Sequence, residues 1–339
     1  MKHAQTYKRI IKLLALTTLV SVIFSLNLPS TNVSAQGPSP TPLPPKTGVP
    51  EGYTLIEGDI LVRTDLLTGR SPSAVYATNF WTNGIVPFEF DANVTPANQS
   101  AMLVAMADWE NVANVDFRPR NGEGNYAHIQ NSTENSSSVG MQGGKQIINI
   151  FNWNSRFIMA HELGHALGLW HEQSRPDRDS FVQIEWDCIQ SGEAYNFDRH
   201  GEAGQYGPYD FDSLMHYGQS AFFTPATPYC ASISRTITVL PPNQSWQNLI
   251  GQRNHLSSMD QLTMSFLYPQ PNWLFVDGAY TGGTENGMFL TPYKLFPPGF
   301  AATPAGGTLW VQPGAYSSVG TYNKAVTIRA PLGGVTLGQ

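Results

Sequence analysis

Residues 161–171 run His161-Glu162-Leu163-Gly164-His165-Ala166-Leu167-Gly168-Leu169-Trp170-His171, and no other stretch limits the chain's fold so tightly. On an α-helix positions i and i+4 share a face, so a helix here aims the imidazoles of His161 and His165 at one point with Glu162 beside them. Gly168 can take backbone angles that end the helix and turn the chain, which brings His171 back as a third ligand. Three imidazoles about 2.0–2.1 Å from a zinc ion leave a position open for water, whereas structural zinc is closed by four protein ligands. Histidines four apart do occur by accident on helix surfaces. Five fixed identities at this spacing arise by chance on the order of 10⁻⁴ of the time in a chain this long, so accident is set aside. Asn152 or Asn154 is expected to cap the helix, Phe157, Ile158, Leu163, Ala166 and Leu167 supply apolar positions, and no proline follows before Pro176.

The 339 residues suffice for one large or two modest domains. Charged residues are only 13% and aromatics 12%, with 31 glycines and 25 prolines, a loop-rich make-up that suits a secreted chain. A net charge of −6, with no basic run past the first dozen residues, speaks against nucleic acid as a partner. Those first residues read as a targeting signal. Lys2, Lys8, Arg9 and Lys12 precede an apolar run over 13–28, and Val33-Ser34-Ala35 forms a small-x-small cleavage site. The run is short of the roughly 20 residues a spanning helix needs, so residues 1–35 are expected to be a cleaved signal peptide, not a stable membrane span, with a secreted, extracellular product. In that oxidising setting Cys188 and Cys230, the only two cysteines, form one disulfide or stay as two buried thiols.

Prolines at 38, 40, 42, 44, 45 and 50 make an extended linker, and residues 51–70 carry apolar stretches too short for a core around Glu57-Gly58-Asp59. Alternation predicts a strand over 84–91. Thr95-Pro96 starts a helix running through Met102, Met106 and Trp109 to about Ala113, and strands follow at 115–118, 126–130 and 146–150. Past the histidine string the chain turns loop-rich, with a strand over 236–240. A last helix begins at Ser257 or Ser258, where Ser257 and Asp260 have capping-box spacing.

The string continues without a gap through Glu172-Gln173-Ser174-Arg175-Pro176-Asp177-Arg178-Asp179. Ser213-Leu214-Met215-His216-Tyr217 follows forty residues on, and Ile250-Gly251-Gln252-Arg253 with Leu256, Ser257 and Asp260 closes the set. Together these resemble the astacin family of metzincin metallopeptidases, and 81–91 and 138–150 are similar to its first and edge strands, so the resemblance spans about residues 72–270. It implies an α+β fold: the two-subdomain metzincin zinc-peptidase architecture, with a twisted mixed sheet and a long zinc helix. One catalytic zinc is implied on His161, His165 and His171, with Glu162 as the base for the attacking water and Met215 as an apolar floor. Tyr217 is implied as a fifth ligand at rest that swings away to stabilise the developing oxyanion. His128, His200, His216 and His255 are expected to be structural.

The resemblance also divides the chain. Residues 36–70 become linker and propeptide, and 71–270 the catalytic domain. In the family the residue after the third histidine, here Glu172, holds the new amino terminus of the matured enzyme. Ile56-Glu57-Gly58-Asp59 resembles the family's F-x-G-D motif, with Ile56 in place of Phe, so Asp59 is expected to cap the zinc and the propeptide to act as inhibitor. Arg70-Ser71 is the basic site for its removal. Family members typically carry two disulfides, and this chain has cysteines for one. A peptide or protein substrate is expected to add antiparallel to the edge strand near 138–144, where Gly143-Gly144 let backbones approach. Arg175 and Arg178 either favour acidic residues after the cut or sit in structural ion pairs.

Residues 271–339 form a small β-rich tail, with runs at 273–276, 308–311 and 325–328 between glycine and proline turns. The tail resembles the opening of right-handed parallel β-helices in polysaccharide-processing and cell-surface proteins. It is a relic, an accessory module or a plain β region, since stacked coils need about three repeats to bury a core. Three functions follow: a secreted zinc endopeptidase made as a zymogen, a protein contacting polysaccharide or a surface through the tail, and an inactive zinc-binding protein. A binding site needs no general base, so Glu162 and Tyr217 argue against the last.

Overall fold

Two short apolar runs on either side of Glu57-Gly58-Asp59 pair as an antiparallel hairpin, β1 (Tyr53–Ile56) and β2 (Ile60–Arg63), in the computed structural model. That model describes residues 49–64, 79–200, 206–318 and 320–338. The signal peptide, most of the linker and Arg70-Ser71 lie outside the described residues. The chain continues through β3 (Ile85–Phe90), α1 (Pro96–Glu110), β4 (Asp116–Pro119), β5 (Tyr126–Asn131), β6 (Ser136–Ser137) and β7 (Lys145–Ile150). The strands form one mixed sheet in the order β1-β2-β6-β7-β5-β3-β4, parallel except at the β1–β2 and β6–β7 pairs. The hairpin cannot make a core alone. It buries Ile56, Ile60 and Val62 against Val139 and Trp170.

Helix α1 starts as expected, with Thr95 Oγ1 accepting from Asn98 N at 3.3 Å and Pro96 in the first turn, but it ends at Glu110, short of Ala113. The histidine string lies on α2 (Arg156–Leu167). Neither Asn152 nor Asn154 caps it. Ser155 is the N-cap residue, and Asn152 Oδ1 accepts instead from Asn135 Nδ2 at 2.7 Å. Two buried indoles fix α2 in place: Trp109 Nε1 donates to Ala160 O and Trp81 Nε1 to Ala166 O, each at 2.8 Å. Both helices share a core with the sheet residues Val86, Phe88, Ile129, Ile148 and Ile150.

The edge differs from its expected position. The strand near 138–144 shrinks to β6, because positive φ at Gly140, Gly143 and Gly144 breaks the extended chain there. Below α2 the chain is loop-rich, as expected, with β8 (Val182–Ile184), α3 (Pro228–Ile233), β9 (Ile237–Val239) and α4 (Ser258–Leu267). Strands β8 and β9 pair antiparallel, and Cys188 and Cys230 form a disulfide beside them. Ser257 caps α4 in the expected box with Asp260.

The tail holds β10 (Trp273–Val276), α5 (Phe296–Ala302), β11 (Thr308–Val311), β12 (Gly314–Tyr316), β13 (Thr327–Arg329) and β14 (Val335–Leu337). Strands β10, β11 and β13 are parallel, as are β12 and β14. Phe296 and Phe300 of α5 pack with Val276, Leu309 and Val311. No helix among the described residues is long and apolar enough to cross a membrane.

Candidate metal centre

Gly168 ends α2 with φ of 114°, and a Cβ there would lie 2.9 Å from Phe80 Cε1, so only glycine fits both the turn and the space. The chain then reverses and brings His171 onto the face that carries His161 and His165. The Nε2 atoms of His165 and His171 lie 3.1 and 3.3 Å from that of His161. Three nitrogens each about 2.1 Å from one ion at tetrahedral angles sit about 3.4 Å apart, so the set has the spacing zinc requires. All three rings are oriented from behind. Nδ1 of His161 donates to Leu214 O at 2.9 Å, Nδ1 of His165 to Leu169 O at 2.8 Å, and Nδ1 of His171 to Glu57 Oε2 at 2.6 Å. With the proton held on each Nδ1, each Nε2 lone pair is left for a metal.

Asp59 joins the three histidines as the fourth member of a group able to hold a metal ion. Its Oδ2 lies 3.2 Å from His161 Nε2, and its Oδ1 lies 3.2 and 3.7 Å from His171 and His165 Nε2. Asp59 Oδ1 and Glu162 Oε2 are both buried without a hydrogen-bond partner among the described residues. Two orphaned carboxylate oxygens beside three imidazoles fit a divalent cation and its water. Burial holds His161 down to about 4, with Arg253 adding to it, and holds His165 well below the usual imidazole range. For His171 burial acts in the same sense, but the Asp59 and Glu57 carboxylates outweigh it and raise the group to about 9. Burial, and after it the charge of Asp59, pushes the Glu162 carboxyl well above its ordinary range.

The 213–217 turn is fastened from α4. Asp260 accepts from Ser213 Oγ at 2.7 Å and Leu214 N at 2.8 Å, and Ser213 Oγ accepts from Met215 N at 3.0 Å. Met215 is buried against Gly164, where an added Cβ would lie 3.0 Å from its Sδ. Tyr217 packs its ring 4.6 Å from that of His171, but its hydroxyl donates to Glu57 O and not toward the metal group. Of the other histidines, His216 is held by Tyr209 and Tyr217 O, His128 by Glu89 and Asp91, and His255 by Asp212. His200 is held in the same way, its Nε2 donating to the Glu57 carboxylate that also holds His171.

Glu172 is pushed up to about 8 by burial, against the pull of Arg175. It shares a small cavity with Asp210 and Asp260. Arg175 pairs with Glu172 and Asp177, and the buried Arg178 pairs with Asp179 and donates to the carbonyls of Gln173 and Phe197. Both arginines therefore sit in structural pairs. No sequence pattern singles out Glu57 or Asn196, whose Oδ1 accepts from Gly58 N at 3.0 Å. Glu57 fills the variable place of the I-E-G-D motif, and its reach to His171 and His200 appears only in three dimensions.

The model of the astacin peptidase family matches residues 73–269. Zinc metalloproteinase nas-39 of Caenorhabditis elegans is 39% identical over 198 residues, 56% of this chain and 20% of that protein. High choriolytic enzyme 1 of Oryzias latipes is 33% identical over 223 residues, 63% of this chain and 77% of that protein. The solved structure of this medaka hatching enzyme, a zinc-protease, matches with a TM-score of 0.50 at 31% identity, over 59% of this chain and 98% of that one.

Proposed function

Because the chain belongs to the astacin family of metallopeptidases, we propose that it is a secreted zinc endopeptidase made as a latent precursor, cutting peptide bonds of extracellular proteins. The observation that carries this reading is the approach of Asp59, which precedes the matched domain, to all three imidazole Nε2 atoms at 3.2–3.7 Å. An inhibitory propeptide acts in this way. While Asp59 faces the histidines a peptide carbonyl has no place there, and the Tyr217 hydroxyl is engaged by Glu57 O.

Cleavage at Arg70-Ser71 and departure of the β1–β2 hairpin then free Glu162, Tyr217 and the β6 edge. Zinc on the three histidines supplies Lewis acidity, lowering the pKa of water and polarising the scissile carbonyl. Glu162 accepts the proton of the attacking water and returns it to the leaving amine. Tyr217 donates to the oxyanion, which strengthens binding in the transition state above that in the ground state. Glu172, in its cavity with Asp210 and Asp260, receives the new α-amino group. We read the tail as the first coils of a right-handed parallel β-helix, supported by the parallel register of β10, β11 and β13, with polysaccharide or a surface as its contact. Cosedimentation of the Glu162→Gln chain with an insoluble polysaccharide tests that part, and a chain left wholly in the supernatant refutes it.

The test of the main reading is casein cleavage by residues 36–339, before tryptic activation and after it once the trypsin has been quenched by a serine-protease inhibitor, with and without a zinc chelator. The precursor is expected to be silent until cut, Asp59→Ala active without cutting, and Glu162→Gln silent throughout. A fully latent Asp59→Ala precursor overturns the propeptide role. Activity that survives Glu162→Gln or chelation overturns the mechanism.

A further inference from the structure

The tail meets the catalytic half along an aromatic seam. Phe266 of α4 has Trp310 at 4.8 Å, Phe275 at 4.9 Å and Phe289 at 5.4 Å between ring centroids. Tyr206 enters the seam from the catalytic side, edge-on to Phe266 at 5.2 Å and to Phe289 at 4.9 Å. The next residue, Gly207, is so closely covered that a Cβ there would lie 2.4 Å from Met259 Cε and 3.5 Å from Leu332 Cδ2. The tail's Phe289 therefore packs on Tyr206, and its Leu332 lines a cavity with Gly207.

Those residues aim a cation. The carbonyls of Gly207 and Pro208 accept from the Arg175 guanidinium at 3.1 and 3.2 Å. Its remaining donors reach Glu172 Oε1 at 3.1 Å and both Asp177 oxygens at 2.9 Å, so all five N–H groups are engaged. A planar fork satisfied in this way has one position, set in part by where carbonyls 207 and 208 stand. Glu172 follows His171 directly, accepts from Asp210 N at 2.8 Å, and donates its own N–H to Met215 O at 3.2 Å. A chain of direct contacts thus runs from the tail to the residue beside the third histidine.

We propose that the tail is a working part of the Glu172 pocket, with Phe289 and Leu332 as positioning residues that hold 206–208, and through them Arg175 and Glu172, in register for the matured amino terminus. The proposal rests on the reading of Glu172 as the partner of that terminus. Truncating either side chain loosens the segment without touching the histidines, Glu162 or Tyr217.

The test uses the full chain, activated by trypsin after Arg70, beside Phe289→Ala, Leu332→Ala, Phe289→Leu and Glu172→Gln chains. Ile328→Ser, at an exposed position of β13, serves as control. Two readouts are taken: peptide hydrolysis resolved into kcat and KM, and the rate at which an amine-acylating reagent labels the new α-amino group, followed by mass spectrometry. Phe289→Ala and Leu332→Ala are expected to lower kcat about tenfold with KM within about twofold, a misplacement effect and not a binding loss. They are also expected to speed terminal labelling about tenfold, because the amine no longer stays paired and buried. Zinc content should be unchanged, Phe289→Leu should recover most of the loss, and Ile328→Ser should match the parent. Should Phe289→Ala fail to fold, Leu332→Ala, the smaller truncation, decides. Parental kcat and labelling in the tail variants overturn the proposal while leaving the Glu172 reading intact, provided Glu172→Gln speeds labelling. Labelling that is fast in the parent and unaltered by Glu172→Gln removes the reading and the proposal together.

Discussion

Gly164→Ala sets two effects of known size against each other at the centre of the site. In a helix interior alanine is favoured over glycine by about 1 kcal/mol. Against this, the new methyl would lie 3.0 Å from Met215 Sδ and 3.2 Å from Trp109 Cζ2, and overpacking of a tight core costs about 1–3 kcal/mol. What decides is which neighbour can yield. Trp109 is fully buried and pinned through Nε1 to Ala160 O at 2.8 Å. Met215 has a flexible side chain, but Ser213 and Asp260 fix its backbone, so only the thioether tip can give. Part of the strain stays, and the net expectation is destabilisation by about 1 kcal/mol, a fall of about 2–4 °C in Tm for a domain of this size. Thermal unfolding of the zinc-loaded precursor measures it. In the Met215→Ala background the same substitution should cost less, because the obstructing sulfur is gone and only the contact with Trp109 at 3.2 Å remains. A rise in Tm for Gly164→Ala in the parent chain refutes the claim that the 213–217 turn packs rigidly against α2.

Three further outcomes are expected. Glu162→Gln in the matured enzyme should lower kcat about 10²–10⁴-fold with zinc content unchanged, and a smaller loss of activity would assign the base elsewhere. Replacing Cys188 and Cys230 by serine opens a link between positions 42 apart and should cost about 4 kcal/mol in denaturant unfolding. An unchanged midpoint would show that the chain does not use the bond. Ser257→Ala removes the acceptor for Asp260 N at 2.9 Å and should cost about 1 kcal/mol, read as a shifted urea midpoint at constant slope.

The parts of the site legible in the sequence are those whose geometry is local. His161, Glu162 and His165 are placed by helical periodicity alone, and His171 by one glycine turn, so spacing was enough. Ser257 and Asp260 likewise form the expected capping box. What could not be read is what depends on partners far along the chain. Glu57 meets His171 across 114 residues and His200 across 143, and no pattern within the strand carries that information. The cap of α2 failed for a competitive reason, since Asn135 takes the Asn152 side chain. Helix α5 was hidden by Pro297 and Pro298, which read as a turn but lie in the first helical turn, where a missing N–H costs nothing. The role of Tyr217 depends on what fills the centre, because its hydroxyl here follows Glu57 and not the histidines.

The brevity of β6 has a consequence for the matured molecule in solution. Were the hairpin removed, as proposed above, a sheet margin would be uncovered, and exposed margins template the growth of sheets between molecules. Here only Ser136 and Ser137 are regular strand, and the positive-φ glycines that follow bend the chain out of line. One extended guest can anchor on so short a margin, but two such margins, meeting edge to edge, share too few bonds to stay together. A margin of two strand residues is therefore a poor template for self-association.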